Sequence, residues 1–206
     1  MKSPEVLVLF VLAAVAGFAV PETVSAESEN SVNLGFGGVP ALMQHCKAHV
    51  YIVEYEHLLT PRITLLGRGS GVNYRFDDSE YVEQGKPRGM DVGARYYPDG
   101  GMKGFFVGGT VGYWKADWTF KHDKGRPNET QGNGETDSLR VNFDMGGRFP
   151  LGSSAASIIP AVNIGRYFPT TSCEYSAPAS LVGTACGQET EVKSYIFLSV
   201  MAGIGF

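Results

Sequence analysis

Residues 138–149 alternate without a break: Leu139, Val141, Phe143, Met145, Gly147 and Phe149 against Ser138, Arg140, Asn142, Asp144, Gly146 and Arg148. A helix would spread those charges around its whole circumference, whereas a strand separates the two sets onto opposite faces. The same period recurs along the chain. Met90, Val92, Ala94 and Tyr96 alternate with Asp91, Gly93, Arg95 and Tyr97, and Phe105, Val107, Gly109, Val111 and Tyr113 share one face of the next strand. Ile196, Leu198, Val200, Ala202, Ile204 and Phe206 form the apolar face of the last strand.

Four weaker segments complete the pattern: Val32–Val39, Lys47–His57, Ile63–Tyr74 and Ile158–Phe168. The expectation is therefore all-β, with eight strands. The connections alternate in kind. Leu58–Pro61, Pro98–Met102 and Pro150–Ser154 are short and rich in turn residues, while Asp77–Arg88, Lys121–Thr136 and Pro169–Glu191 are long and polar. Tight turns at one end and loops at the other describe an up-and-down meander.

Ahead of the strands, Val6 to Val20 is an unbroken apolar run, with Lys2 before it and Val24-Ser25-Ala26 after it. This reads as a cleavable signal peptide over residues 1–26, leaving one domain over residues 27–206. The run is short for a spanning helix. A formal net charge of −4 argues against nucleic acid as a partner, and a mean hydropathy of −0.06 argues against disorder.

Alternation does not say which face is inside. A soluble barrel turns its apolar residues inward, and a membrane barrel turns them toward lipid. Three observations favour the second. The polar face carries Glu54, Glu56, Asp91 and Asp144 against Arg68, Arg95, Arg140 and Arg148, a balance suited to an enclosed lumen where an unpaired charge is costly. The better strands reach the 9–11 residues that a tilted membrane strand needs. Aromatic residues gather near strand ends, with Tyr96 and Tyr97 at one end and Tyr113, Trp114, Trp118 and Phe120 at the other, as interfacial girdles do.

The final strand carries the most specific feature. Leu198, Val200, Ala202, Ile204 and the terminal Phe206 resemble the C-terminal targeting strand of bacterial outer-membrane β-barrels. With the turn–loop alternation, the chain resembles the small OmpA/OmpX-type barrels over nearly all of residues 32–206. Residues 40–46, an apolar first loop, depart from that pattern. The resemblance implies an eight-stranded antiparallel up-and-down transmembrane β-barrel, monomeric, placed in the bacterial outer membrane. It implies outer-membrane lipid, lipopolysaccharide and the barrel assembly machinery as partners. The lumen is expected to be filled by side chains, so the role is structural or surface-interactive, with any external ligand unspecified.

Two alternatives remain open at this point: a lipid A-modifying enzyme, and a secreted lipocalin-like binder. For the first, His122 with Asp123 could approach Ser172 or Ser176, although none of the four histidines is followed two residues on by serine. For the second, Gly112-Tyr113-Trp114 sits centrally, whereas a lipocalin's Gly-x-Trp opens the first strand. Cys173 and Cys186 share one proposed external loop and could form a disulfide, leaving Cys46 odd. His45, Cys46 and His49 crowd together, but no second cluster completes a metal site. The Asp77, Asp78, Glu80 and Glu83 group could bridge divalent ions to lipopolysaccharide, and Lys121, Lys124 and Arg126 could touch its phosphates; both also read as solvated loops. No cofactor is expected.

Overall fold

The computed structural model describes residues 28–38, 46–123, 129–169 and 193–206. The signal-peptide segment, His45, Lys124, Arg126, Ser172, Ser176, Cys173 and Cys186 lie outside the described residues. Nine strands form one antiparallel sheet: β1 (Asn30–Gly38), β2 (Cys46–Thr60), β3 (Ile63–Asp77), β4 (Tyr81–Gly85), β5 (Arg88–Tyr96), β6 (Gly104–His122), β7 (Thr130–Pro150), β8 (Ala156–Pro169) and β9 (Lys193–Gly205). The wall follows chain order, and β1 also pairs with β9, which closes the sheet into a ring. At the closure Asn30 N–H donates to Phe206 O at 3.1 Å and Phe206 N–H to Asn30 O at 2.9 Å. A closed ring leaves no edge of unpaired peptide groups.

Nine strands occupy eight positions in the wall. β4 and β5 both lie between β3 and β6, separated by Lys86-Pro87. Pro87 has no N–H to give to the ladder, but its carbonyl still accepts from Val72 N–H at 2.8 Å, and Lys86 N–H donates to Asp117 O at 2.9 Å. The polar stretch 77–88, expected as a loop, is thus mostly sheet. β6 and β7 likewise run on past the expected strand ends, pairing continuously from Gly104–Arg148 to His122–Thr130. The reason is legible afterwards: Ala116, Trp118 and Phe120 alternate with Lys115, Asp117, Thr119 and Lys121 in period two, and polar residues on the outward face do not end a strand that stands in water.

The three short turns share one end of the barrel with the start of β1 at Asn30 and with Phe206. In the second turn Gly100, Gly101 and Gly104 have φ of 79°, 63° and 73°, and Met102 follows the same left-handed course at 49°. That course returns Met102 to the interior, where it packs with Tyr97, Phe106 and Met201 in one buried cluster. The turn end is floored by these side chains.

Candidate functional site

The inward positions of the wall hold most of the molecule's buried charge. Glu54 and Glu56 on β2, Arg68 on β3, Asp91 and Arg95 on β5, and Arg140, Asp144 and Arg148 on β7 are all buried. They form two groups at different heights.

The lower group lies toward the turns and centres on Arg95. Its guanidinium donates to Glu54 Oε1 at 2.6 Å, Glu54 Oε2 at 2.9 Å, Glu56 Oε2 at 3.2 Å and Asp144 Oδ2 at 2.7 Å. Arg68 bridges two of these three acids, at 2.8 Å to Glu54 Oε2 and 3.0 Å to Asp144 Oδ2. Arg148 donates to Glu56 Oε2 at 2.7 Å and to Ser31 Oγ at 3.0 Å. Neutral donors add to the two glutamates: Asn33 Nδ2 to Glu54 at 3.0 Å, Thr64 Oγ1 to Glu56 at 2.6 Å, and Tyr97 O–H to Glu56 at 2.9 Å. Planar guanidinium forks suit such multidentate contacts. The Arg95 guanidinium also lies 4.4 Å over the Phe106 ring.

The upper group is a single pair. Arg140 Nε donates to Asp91 Oδ1 at 3.0 Å and its Nη2 to Asp91 Oδ2, and Trp114 Nε1 donates to Asp91 Oδ1 at 3.2 Å. The Arg140 guanidinium sits 4.0 Å over the Trp114 ring and 5.7 Å from that of Tyr195. Tyr167 and Tyr195 lie beyond it, their rings tilted at 36° with centroids 4.8 Å apart. Cation–π contact of this kind gains from exclusion of water.

Two glycines that the sequence reading did not connect with the charges make this geometry possible. Gly108 stands between Arg95 and Asp144 in register, and Gly112 between Asp91 and Arg140. A Cβ at Gly108 would run into the Arg95 and Asp144 side chains, and one at Gly112 into the Asp91 carboxylate. Each ion pair therefore reaches across a strand that offers no side chain. The signal was available in the inward series Phe106, Gly108, Thr110, Gly112, Trp114.

The outward face is the inverse. Leu34, Val53, Met90, Val92, Val111, Val141, Phe143, Ile164, Val200 and Ile204 are all exposed, with Met90 at 76%. Of the terminal-strand residues Leu198, Val200, Ala202, Ile204 and Phe206, the last is 65% exposed, and all five alternate outward with inward Phe197, Ser199 and Met201. The aromatic residues divide by parity instead of forming one girdle. Tyr96 and Tyr113 face out, but Tyr97, Trp114, Trp118 and Phe120 are buried inside, because each stands at an inward position of its strand. Val50, Ile52, Leu66, Ile159 and Met201 also point inward, so the lumen is part apolar.

The barrel has the fold of the small outer-membrane β-barrels. CarO of Acinetobacter baumannii is 12% identical, with 87% of this chain and 98% of CarO covered and a TM-score of 0.50. A major outer membrane protein of Thermus thermophilus is 13% identical over 86% of this chain and 99% of its own, with a TM-score of 0.48. Comparison with protein-family models and with curated proteins gives no match.

The remaining sequence candidates divide. Among the described residues no cluster of three metal-ligating side chains occurs; His49 faces outward opposite Asn73. Among the described residues Cys46 has no disulfide partner; burial pushes the pKa of its half-buried thiol up, with the Glu83 carboxylate adding to the effect. His122 Nδ1 lies 3.4 Å from Asp123 Oδ2. The acidic stretch is engaged locally. Asp78 accepts from the N–H groups of Glu80 and Tyr81 at 2.9 and 2.7 Å, and Glu83 accepts from the hydroxyls of Tyr74 and Tyr81 at 2.5 and 2.6 Å. Lys121 pairs with Glu129 at 3.1 Å.

Proposed function

We propose that this chain is an integral protein of the bacterial outer membrane, a monomeric barrel closed by its own side chains, with a structural or surface-contact role and no general pore. The observation that carries the reading is the inversion of exposure. Arg95 is 1% exposed and Asp144 0%, while Met90, Val92 and Ile204 are 76%, 63% and 63% exposed. Water rewards the opposite arrangement, and hydrocarbon around a closed sheet rewards this one. A lipocalin-like binder would need its apolar face inside.

In this reading the turn end, with Asn30 and Phe206, faces the periplasm, and β3–β4 and β6–β7 carry sheet beyond the outer leaflet. The outward series Leu198, Val200, Ala202, Ile204 and Phe206 is what the barrel assembly machinery engages. Lipid and lipopolysaccharide surround the belt. The lumenal ions replace water inside the cylinder, which opposes free diffusion of solutes.

Fractionation of a Gram-negative cell expressing the chain tests this directly. The protein is expected in the outer-membrane fraction, with gel mobility that changes on heating, and deletion of Phe206 is expected to lower its assembly there. Recovery as a folded, detergent-free soluble protein overturns the proposal.

A further inference from the structure

On the outward face the apolar belt is topped, along the β5–β6 seam, by a row that the sheet itself disfavours. Arg88 and Lys115 are directly opposed cross-strand partners, with side chains 76% and 62% exposed. Like charges placed opposite each other destabilise a ladder, and the compensation within the protein is slight. Arg88 Nη2 is 4.0 Å from Asp117 Oδ2, and Lys115 Nζ is 3.6 Å from Asp137 Oδ1. Further out, on the β2–β3 seam, Lys47 and Arg75 are opposed in the same way, with Arg75 bonded to Asp77 at 2.8 Å.

Below Arg88 and Lys115 the outward pairs turn apolar at once: Met90 with Tyr113, then Val92 with Val111. Beside them β3 presents Gly71, Gly69 and Gly67, paired on one side with Arg88, Met90 and Val92 and on the other with Tyr51, Val53 and Tyr55. Nothing lies within 4 Å of where a Cβ would stand at these three positions. The result is a furrow roughly 13 Å long, at ~3.3 Å per residue, with side-chain walls and cations at its head.

We propose that this seam holds one anionic membrane lipid, its phosphate on Arg88 and Lys115 and an acyl chain along the furrow toward Val92. The proposal rests on the reading that the belt lies in the membrane, and it names the lipid chemistry at one place on that belt. Arg and Lys offer a phosphate the charge and donors that Asp117 and Asp137 supply only at long range. The adjoining apolar surface suits the chain of the same molecule.

The test uses the whole barrel in phosphatidylcholine nanodiscs, with diphosphoryl lipid A as the probe and retained lipid read by native mass spectrometry. Wild type is expected to keep one lipid A, and Arg88→Gln/Lys115→Gln to retain it about tenfold less well, from the loss of two cations at the surface. Arg62→Gln/Lys103→Gln, which removes equal charge at the turn end, is expected to leave retention unchanged. Gly69→Leu, which fills the furrow with the cations intact, is expected to weaken it as well.

Equal retention by wild type and Arg88→Gln/Lys115→Gln overturns the proposal, as does equal loss in the turn-end control. Displacement of the lipid by inorganic phosphate at matching concentration overturns it too, since a headgroup site alone would then suffice. A second copy of the chain found on the seam, lost in Gly69→Leu, assigns the furrow to self-association and overturns it. A barrel that stays folded in water without lipid or detergent instead overturns the membrane reading itself.

Discussion

Two rows of three residues cross the same strands inside the barrel with their charges exchanged. Arg95, Gly108 and Asp144 form the lower row on β5, β6 and β7; Asp91, Gly112 and Arg140 form the upper one. The members stand four residues apart on every strand, so the rows are two layers of one design. Their surroundings differ. The lower pair is drawn into a set with Glu54, Glu56, Arg68 and Arg148, three acids against three bases, tied to β1 through Ser31 and Asn33. The upper pair stands alone between Trp114 and Tyr195. One arrangement cross-links the wall, and the other fits an ion pair into an aromatic layer. Burial of ions is thus two problems in this lumen, and only in the lower layer are charges shared, with Glu54, Glu56, Asp144, Arg68 and Arg95 each meeting more than one ion.

Arg95→Met separates the two most sharply. It strands carboxylates of Glu54, Glu56 and Asp144 that Arg68 and Arg148 then satisfy only in part. A cost of about 5 kcal/mol is expected, the upper end for breaking a buried ionic contact, read as a lower urea midpoint for the barrel in micelles. Arg140→Leu leaves one carboxylate, still bonded by Trp114, and is expected to cost less, about 3 kcal/mol. Equal losses would mean that the lower ions act as independent pairs. Gly112→Ala keeps every charge but drives a methyl group into Asp91, for which about 1–3 kcal/mol is expected. Its near-ultraviolet circular dichroism should change through Trp114, whereas Gly109→Ala, whose Cβ points outward, should leave the spectrum alone.

How much of this was readable beforehand follows from what period two can and cannot encode. Alternation placed Arg95, Asp91, Arg140 and Asp144 on one face, and the short turns ordered the strands. Pairing of particular ions depends on register, and register depends on the closure of β1 on β9 and on the shift between Leu58 and Thr60, which no local pattern contains. The inward series around Gly108 and Gly112 marks where side chains are missing, but what that space holds is set only once β5 and β7 flank them. The Trp114 and Trp118 positions show the opposite failure. Their nearness to strand ends suggested an interface, but parity within β6 sends both inward. Polar composition also hid strand in the stretch Lys121–Thr136, expected as a loop, where β6 runs to His122 and β7 starts at Thr130.

The smallest expected effect is the most discriminating. Replacing both partners of the upper pair, Asp91→Leu with Arg140→Leu, removes the desolvation cost together with the attraction that offsets it. Trp114, Tyr167 and Tyr195 already supply an apolar setting for two leucines. The double variant is expected within about 1 kcal/mol of wild type, as buried pairs exchanged for well-packed apolar residues often are. Measured against the two single changes in a double-mutant cycle, this gives a large favourable coupling between 91 and 140. The matching exchange in the lower layer, Arg95→Leu with Asp144→Leu, is not expected to recover, because Glu54, Glu56 and Arg68 lose partners that the leucines cannot replace. Should both doubles return to wild-type stability, the lower layer would be a stack of separable pairs, and the contrast between the layers would reduce to their aromatic content.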